Sequence, residues 1–318
     1  MTTKHIELTQ ALPTETCGKR LDAALVQVFP EYSRSQLVKW LKQGQILVDG
    51  HQAKPKDKVK GLEQVTFDCQ LTVETDLTPQ AGDLNIVYED DDLLIINKQA
   101  NWVVHPGAGN PDHTVVNALL YHHQELDKLP RAGIIHRLDK DTTGLLICAK
   151  NLKSYTALIK MMQAREISRY YLALVYGELL EDTTIDQPVG RHPTNRTKMA
   201  VTAKGKPAIT HVYIDQCYEE LTLVQCKLES GRTHQIRVHL SHIGHPLVGD
   251  QTYYNKNLIT QTEKLLEFSF EHCQRQALHA YRLAFNHPIT NKAIDVELPL
   301  PDDMSSLLEE LAPYAFDI

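Results

Sequence analysis

The chain has 318 residues, 42% of them hydrophobic and 23% charged, with a formal net charge of -7. That composition belongs to an ordinary globular protein long enough for a sizeable core and two domains. No apolar run approaches the ~18 residues of a membrane span, Met1 to His5 leads into no apolar signal core, and the acidic balance argues against holding nucleic acid by bulk positive charge. A cytoplasmic protein is expected.

In chain order, Leu21, Ala24, Leu25, Val28 and Phe29 recur at helical spacing. Pro30-Glu31-Tyr32 breaks that helix, and Ser33 is suited to cap a second one carrying Leu37, Val38, Trp40 and Leu41, which Gly44 stops. Ile46-Leu47-Val48 before Asp49-Gly50, and Gln64-Val65-Thr66-Phe67, read as two strands. Between residues 31 and 60, seven Lys or Arg (Arg34, Lys39, Lys42, Lys54, Lys56, Lys58, Lys60) face three acids, whereas Asp302, Asp303, Glu309, Glu310 and Asp317 make the end of the chain acidic. This asymmetry fits a small basic module, residues 15–75, attached to a larger body. The stretch 69–84, with Thr78-Pro79 and Gly82, lacks periodicity, and residues 76–83 are expected to form a linker. The body, residues 84–313, alternates strand-like runs (93–96, 171–175, 221–228, 294–298) with helical stretches (115–122, 152–163). Without a repeat or a βαβ rhythm, these runs favour an α+β domain on a largely antiparallel sheet.

Two polar segments stand out. His136-Arg137-Leu138-Asp139-Lys140-Asp141-Thr142-Thr143-Gly144 lies between the apolar runs Gly133-Ile134-Ile135 and Leu145 to Ala149, read as short buried strands, so its charges are exposed at a turn. Such an Asp serves either a site or only its own turn. About ninety residues on, Gly231-Arg232-Thr233-His234-Gln235-Ile236-Arg237-Val238-His239 follows a strand-like run and offers two arginines to a carboxylate or a polyanion. The six cysteines contain no C-x-x-C pair, and His234, His239, His242 and His245 have no Cys or carboxylate at ligand spacing, so no metal site is expected. His105-Pro106-Gly107-Ala108-Gly109 is glycine-rich but has neither dinucleotide nor phosphate-loop spacing; a loop beside a polyanion suits it better.

Together the two segments resemble the HRLD and GRTHQIRVH blocks of the RluA-type pseudouridine synthases. The likeness extends through Tyr88 to Lys98, Val103 to Asp112, Arg191-His192-Pro193 and Gly244 to Asp250. Arg20-Leu21-Asp22, Tyr32-Ser33-Arg34-Ser35, Gly44 to Gly50 and Lys54-Pro55 resemble an S4 RNA-binding domain, with Gly61-Leu62-Glu63 where that domain usually has Gly-Asp. The resemblance implies the same fold, a mixed, largely antiparallel sheet split by a central RNA-binding cleft, and a cofactor-independent isomerisation of uridine to pseudouridine. It assigns Asp139 as catalytic aspartate, Arg237 as its cationic partner and Tyr171, in Arg169-Tyr170-Tyr171, as the residue stacked on the base and accepting the C5 proton; Arg169 replaces the family's lysine. Tyr170 should point to the opposite face of the strand. Arg137 is implied to fill the space left by a flipped nucleotide, and His136 to support its turn. Arg232, Gln235, His105, Arg191, Arg196 and Lys198, with Arg34, Lys39, Lys42 and Lys54 of the basic module, are expected RNA contacts. The implied partner is 23S rRNA in the large ribosomal subunit, at the helix 69 stem-loop, with no membrane and no obligate protein partner. Two other readings stay open: a non-catalytic RNA-binding factor that kept the fold, and a hydrolase using Asp139 with His136.

Overall fold

The computed structural model describes residues 3–29, 32, 34–72, 78–107, 109–195, 197–270 and 273–316. Pro30, Glu31, Ser33, Ala108, Arg196 and Asp317, named above, lie outside these residues. The chain divides into two compact units, Met1–Asp76 and Leu77–Ile318.

In the first unit, β1 (Thr3–Ala11), α1 (Leu21–Val28), α2 (Arg34–Lys42), β2 (Ile46–Val48), β3 (His51–Gln52) and β4 (Gln64–Thr72) follow in order. The strands form an antiparallel sheet, β1-β4-β2-β3. The helical repeat buries Leu21, Leu25, Leu37, Trp40 and Leu41 against Phe67 of β4, to 1% exposure or less. Each such side chain contributes about 1.5–3 kcal/mol of transfer free energy. The Gly44 N–H bonds the Leu41 carbonyl and ends α2. Two differences from the expected layout appear. Thr3–Ala11 is a strand the sequence reading leaves out, paired along its whole length with β4, and β4 itself runs to Thr72, into the stretch read as aperiodic.

The second unit contains β5 (Ile86–Glu89), β6 (Leu93–Lys98), α3 (Val115–His122), β7 (Thr143–Ala149), α4 (Leu152–Ala164), β8 (Ser168–Tyr176), β9 (Thr183–Asp186), β10 (Val189–Arg191), β11 (Met199–Val201), β12 (Ile209–Tyr218), β13 (Leu221–Leu228), α5 (Gln235–His242), α6 (Lys256–Leu266), β14 (Leu278–Asn286), β15 (Ala293–Glu297), α7 (Asp302–Leu311) and β16 (Ala315–Phe316). One large sheet has the order β16-β12-β13-β8-β14-β7-β6-β5, with β15 on β14 and β9 on β12. It is antiparallel except for the β14–β7 pair. Residues 93–96 read as an unbroken apolar run because both faces are covered: Leu94 and Ile96 join the core with α3, Leu93 and Ile95 the core with α4. Residues 78–83, expected as linker, are tied to α3: Asn117 donates to the Thr78 carbonyl at 3.0 Å and Gln80 accepts from the His113 N–H at 2.7 Å.

Near the polar segment, Gly133-Ile134-Ile135 is not a strand. Arg131 and Ala132 adopt φ of 54° and 50°, which coils the chain into a 3-10 turn over Pro130–Gly133, and of the three only Ile134 bridges a strand residue, Cys148. Gly144 sits at φ +111° where a Cβ would lie 2.2 Å from the Ala280 carbonyl oxygen, so only glycine lets β7 run beside β14 there. That close pair anchors the far end of the Asp139 loop.

Candidate active site

Asp139 is carried by a loop fastened on all sides. Lys98, fully buried at the end of β6, directs its ammonium hydrogens to the carbonyls of Gln99, Trp102 and Lys140 at 2.7, 3.0 and 2.8 Å. Burial pushes that amine down to about 7, against the pull of Asp141 and Asp139. The Thr142 N–H closes a turn on the Asp139 carbonyl at 3.1 Å, Arg275 donates to the Asp141 carbonyl at 3.2 Å, and Gln276 donates to the Thr142 hydroxyl at 3.1 Å. His136 braces the loop from the other side, its Nε2 accepting the Ile147 N–H at 3.2 Å. His136 thereby supports the turn through Nε2, and among the described residues it makes no hydrogen bond to Asp139.

The expected pairing of Asp139 with Arg237 is present across 98 residues of sequence: Arg237 Nη1 donates to Asp139 Oδ2 at 3.0 Å. The same guanidinium forks onto Asp250, Nε to Oδ2 at 2.7 Å and Nη2 to Oδ1 at 2.9 Å. The side chains of Asp139, Arg237 and Asp250 are 15%, 7% and 0% exposed, so Arg237 is a buried cation shared by two carboxylates. Burial alone would raise the Asp250 carboxyl, but Arg237 and the N–H groups of Thr252 and Tyr253 hold it below the usual carboxylate range. The Arg237 guanidinium also lies over the Tyr253 ring, 5.1 Å from its centroid. The Tyr253 hydroxyl accepts the Met199 N–H and meets His234 Nδ1 at 2.8 Å, which leaves His234 Nε2 facing Asp139 Oδ1 at 3.8 Å. Burial lowers His234 more than Asp139 raises it.

Alternation along β8 turns Tyr171 inward and Tyr170 outward. Tyr170 packs between Lys227 and Arg282 at 5.6 and 5.4 Å from its ring centroid. Tyr171 is 5% exposed and faces a cleft of about 790 Å³ lined also by Asp139, Arg137, His105, Arg232, Gln235 and Arg237. Burial raises the Tyr171 phenol above its ordinary range, opposed by Arg169. Arg137 is exposed at the cleft. His105 is neutral there: burial, then Arg131 and Arg137, push it down to about 4.

Other expected contacts divide. Gln235 is a correction. It is 3% exposed, its oxygen accepts from Ser230 Oγ and the Arg232 N–H, and both amide hydrogens go to the Ile209 carbonyl and Thr210 Oγ1. It therefore braces the Gly231–His234 turn and has no donor left for RNA. Arg232 donates Nε to the Pro207 carbonyl at 3.1 Å and lines the cleft. Arg191, exposed on β10, and Lys198, whose ammonium clips the Thr252 carbonyl, stand outside the cleft lining. In the first unit Arg20 and Arg34 share Asp22 and hold that carboxyl at about 2, while Lys39, Lys42 and Lys54 are exposed.

Asp250, His234, Tyr253 and Lys98 are the participants the sequence reading assigns no role. A carboxylate closing the apolar run Pro246-Leu247-Val248-Gly249 is the local signal that would have flagged Asp250. Among the described residues Asp90, Asp92 and His287 are close enough to share a metal. Their atoms are already engaged: Asp90 accepts from Tyr88, His287 and two backbone N–H groups, His287 Nδ1 accepts from the Ile289 and Thr290 N–H groups, and Asp92 accepts from Asn151. That set ties β5, β6 and the β14–β15 turn together.

Residues 92–242 match the family model described as RNA pseudouridylate synthase, and residues 19–65 match the S4 domain. The chain is 46% identical over 310 residues to the ribosomal large subunit pseudouridine synthase D of Vibrio parahaemolyticus, covering 97% of this chain and 95% of that protein. It is 46% identical over 308 residues to the protein of that name from Escherichia coli K12, covering 96% and 94%. Human RNA pseudouridylate synthase domain containing 1 superposes with a TM-score of 0.52 at 27% identity, over 73% of this chain and 97% of that one. With an S4 domain ahead of the cleft that holds Asp139, Arg237 and Tyr171, this chain belongs to the RNA pseudouridylate synthase family and is a pseudouridine synthase.

Proposed function

We propose that the enzyme isomerises uridine in 23S rRNA of the large ribosomal subunit, at the helix 69 stem-loop, with Asp139 as the catalytic carboxylate. The supporting observation is the Asp139–Arg237–Asp250 chain at the wall of the cleft that Tyr171 also faces. The ribosomal substrate rests on relatives named as large-subunit synthases at 46% identity over nearly the whole chain.

In this reading the target nucleotide leaves its stack, at a few kcal/mol, and Arg137 offsets part of that by stacking into the gap. Asp139 acts at the sugar, either bonding C1′ as the C1′–N1 pair leaves with uracil or removing a C2′ proton. Uracil turns and C5 bonds C1′, either as the Asp139–C1′ bond breaks and its pair returns to the carboxylate or as C2′ regains its proton; Tyr171 then accepts the C5 proton and N1 gains one. Product and substrate are isomers, so no oxidant, reductant or cofactor enters the balance. Lys39, Lys42 and Lys54 of the S4 domain add phosphate contacts, while the catalytic unit selects by RNA shape. No helix among the described residues is long and apolar enough to cross a membrane, and a cytoplasmic site of action follows from the substrate.

The test is incubation with unmodified 23S rRNA, with Asp139→Asn as control, and carbodiimide-stop mapping. Asp139-dependent stops in helix 69 are expected. Stops elsewhere would keep the chemistry and overturn the substrate; none on rRNA or on subunits would remove the ribosomal assignment.

A further inference from the structure

The cleft holds a second cation that the chemistry above does not use. Arg169 lies two residues before Tyr171 on the same face of β8, about 6.8 Å along the strand. It is 4% exposed and lines the cleft, and its side chain makes no hydrogen bond or ion pair with any described residue; its Nε is buried and orphaned. Room for it comes from Gly231, where a Cβ would stand 2.8 Å from Arg169 Nη1. A second orphan stands nearby. Because His136 Nε2 accepts the Ile147 N–H, the neutral ring carries its proton on Nδ1, and that buried donor also has no acceptor among the described residues. Burial, with Arg169 nearby, pushes His136 down to about 3, so the ring stays neutral at working pH. Both orphaned groups at this part of the wall are therefore donors.

A buried charge without a partner is destabilising, and a wall of unpaired donors calls for an acceptor. We propose that Arg169, with His136 beside it, binds a carbonyl oxygen of the target uracil and holds the negative charge that reaches the base when the C1′–N1 bond breaks. This rests on the reading of Asp139 given above. The bond's electron pair leaves with uracil and spreads over N1, O2 and O4, and over C5, from which it forms the new bond to C1′. The depth of Arg169 suits the base, the part of a flipped nucleotide that enters furthest. Where the oxygen bound is O4, cytosine, which presents an amino group there, would set donor against donor.

The experiment uses the full chain and the stem-loop in which Asp139-dependent pseudouridine is mapped, made with uridine, 2-thiouridine or 4-thiouridine at the target. Sulfur is the poorer acceptor, so one thio substitution should slow the wild-type enzyme. Arg169→Met should lower kcat/KM on the uridine RNA by about 10²–10³-fold, as loss of an oxyanion donor does, and bring that thio ratio close to one. Arg169→Lys should recover part of the rate. The melting temperature of free Arg169→Met should not fall, because the charge removed has no partner in the free enzyme. Wild-type rates for Arg169→Met, or thio ratios unchanged in it, would overturn the proposal. So would a smaller salt slope with unchanged ratios, which identifies a phosphate contact, or a lowered melting temperature with activity regained on cooling, which identifies a structural role. If Asp139→Asn stays active, the underlying reading fails; if it is inactive while Arg169→Met is not slowed, only the present inference fails.

Discussion

Asp250→Asn tests how Asp139, the proposed catalytic carboxylate, is held. The substitution keeps the side chain's shape and leaves its oxygen to accept the Thr252 and Tyr253 N–H groups, which stand at 2.8 and 3.1 Å in the wild type. It removes the charge beneath Arg237, whose side chain is 7% exposed. Removing one partner of a buried pair costs about 3–5 kcal/mol. Arg237 retains its bond to Asp139, which puts the expected loss at the low end, about 3 kcal/mol. For a unit of this size that is a fall in Tm of about 6–12 °C. With its fork released, Arg237 no longer fixes Asp139, and a displacement of about 1 Å lowers turnover roughly 10²-fold. Urea unfolding gives the first quantity, and single-turnover pseudouridine formation well below both melting temperatures gives the second. The double variant Asp250→Leu with Arg237→Met should regain stability, since apolar residues can replace a buried pair, and should stay inactive. A loss under about 1 kcal/mol together with near wild-type turnover would refute the claim that Asp250 aims Arg237.

Tyr171→Phe should keep the ring against the base and lose product formation; full activity in the mapping assay would move the C5 proton acceptor elsewhere. Lys98→Met leaves the carbonyls of Gln99, Trp102 and Lys140 without their donor, so a stability loss of at least about 1–3 kcal/mol and slower turnover are expected in urea unfolding and rate measurements. Changing Lys39, Lys42 and Lys54 to Gln should make RNA affinity less salt-dependent, by about 0.7–0.9 in log–log slope for each lysine that touches phosphate. His279, 1% exposed, is pushed by burial down to about 4. Its folded-state pKa lies below the unfolded one, so the unfolded chain binds more protons between about pH 4 and 6.5 and stability falls as pH drops through that window. His279→Gln should flatten that part of the stability profile.

Legibility followed the range of the interactions. Residues 221–228 and 115–122 form the expected strand and helix with the expected limits, because apolar runs and caps are local signals. The β1 strand carries only Ile6 and Leu8 on a half-buried face, and its partner was read as ending at Phe67, so neither strand advertised the other. Gln235 looked like an RNA contact because arginines flank it. In fact α5 buries Gln235, Ile236, Arg237, Val238, His239 and Leu240 in succession, and a helix covered all round has no periodicity to separate brace from site. Asp250 escaped for a related reason: its value lies in a fork to Arg237, and spacing along the chain does not encode which side chain will lie opposite.

The contacts that make the site are also among the most distant in sequence, 98 residues for Arg237 to Asp139 and 134 for Gln276 to Thr142. The site therefore exists only once β6, β7, β14 and α5 have come together. What that assembly yields is a charge pattern across one cleft. There two carboxylates share the single cation Arg237, leaving a net negative edge, and the same lining includes Arg169, its Nε buried and orphaned. Breaking the C1′–N1 bond moves electrons from sugar to base, so positive charge develops at C1′ and negative charge on uracil. In the proposed reading, a carboxylate at the sugar and a guanidinium at the base favour that direction of flow before substrate arrives, and such preorganised fields act without reorganisation at the moment of reaction.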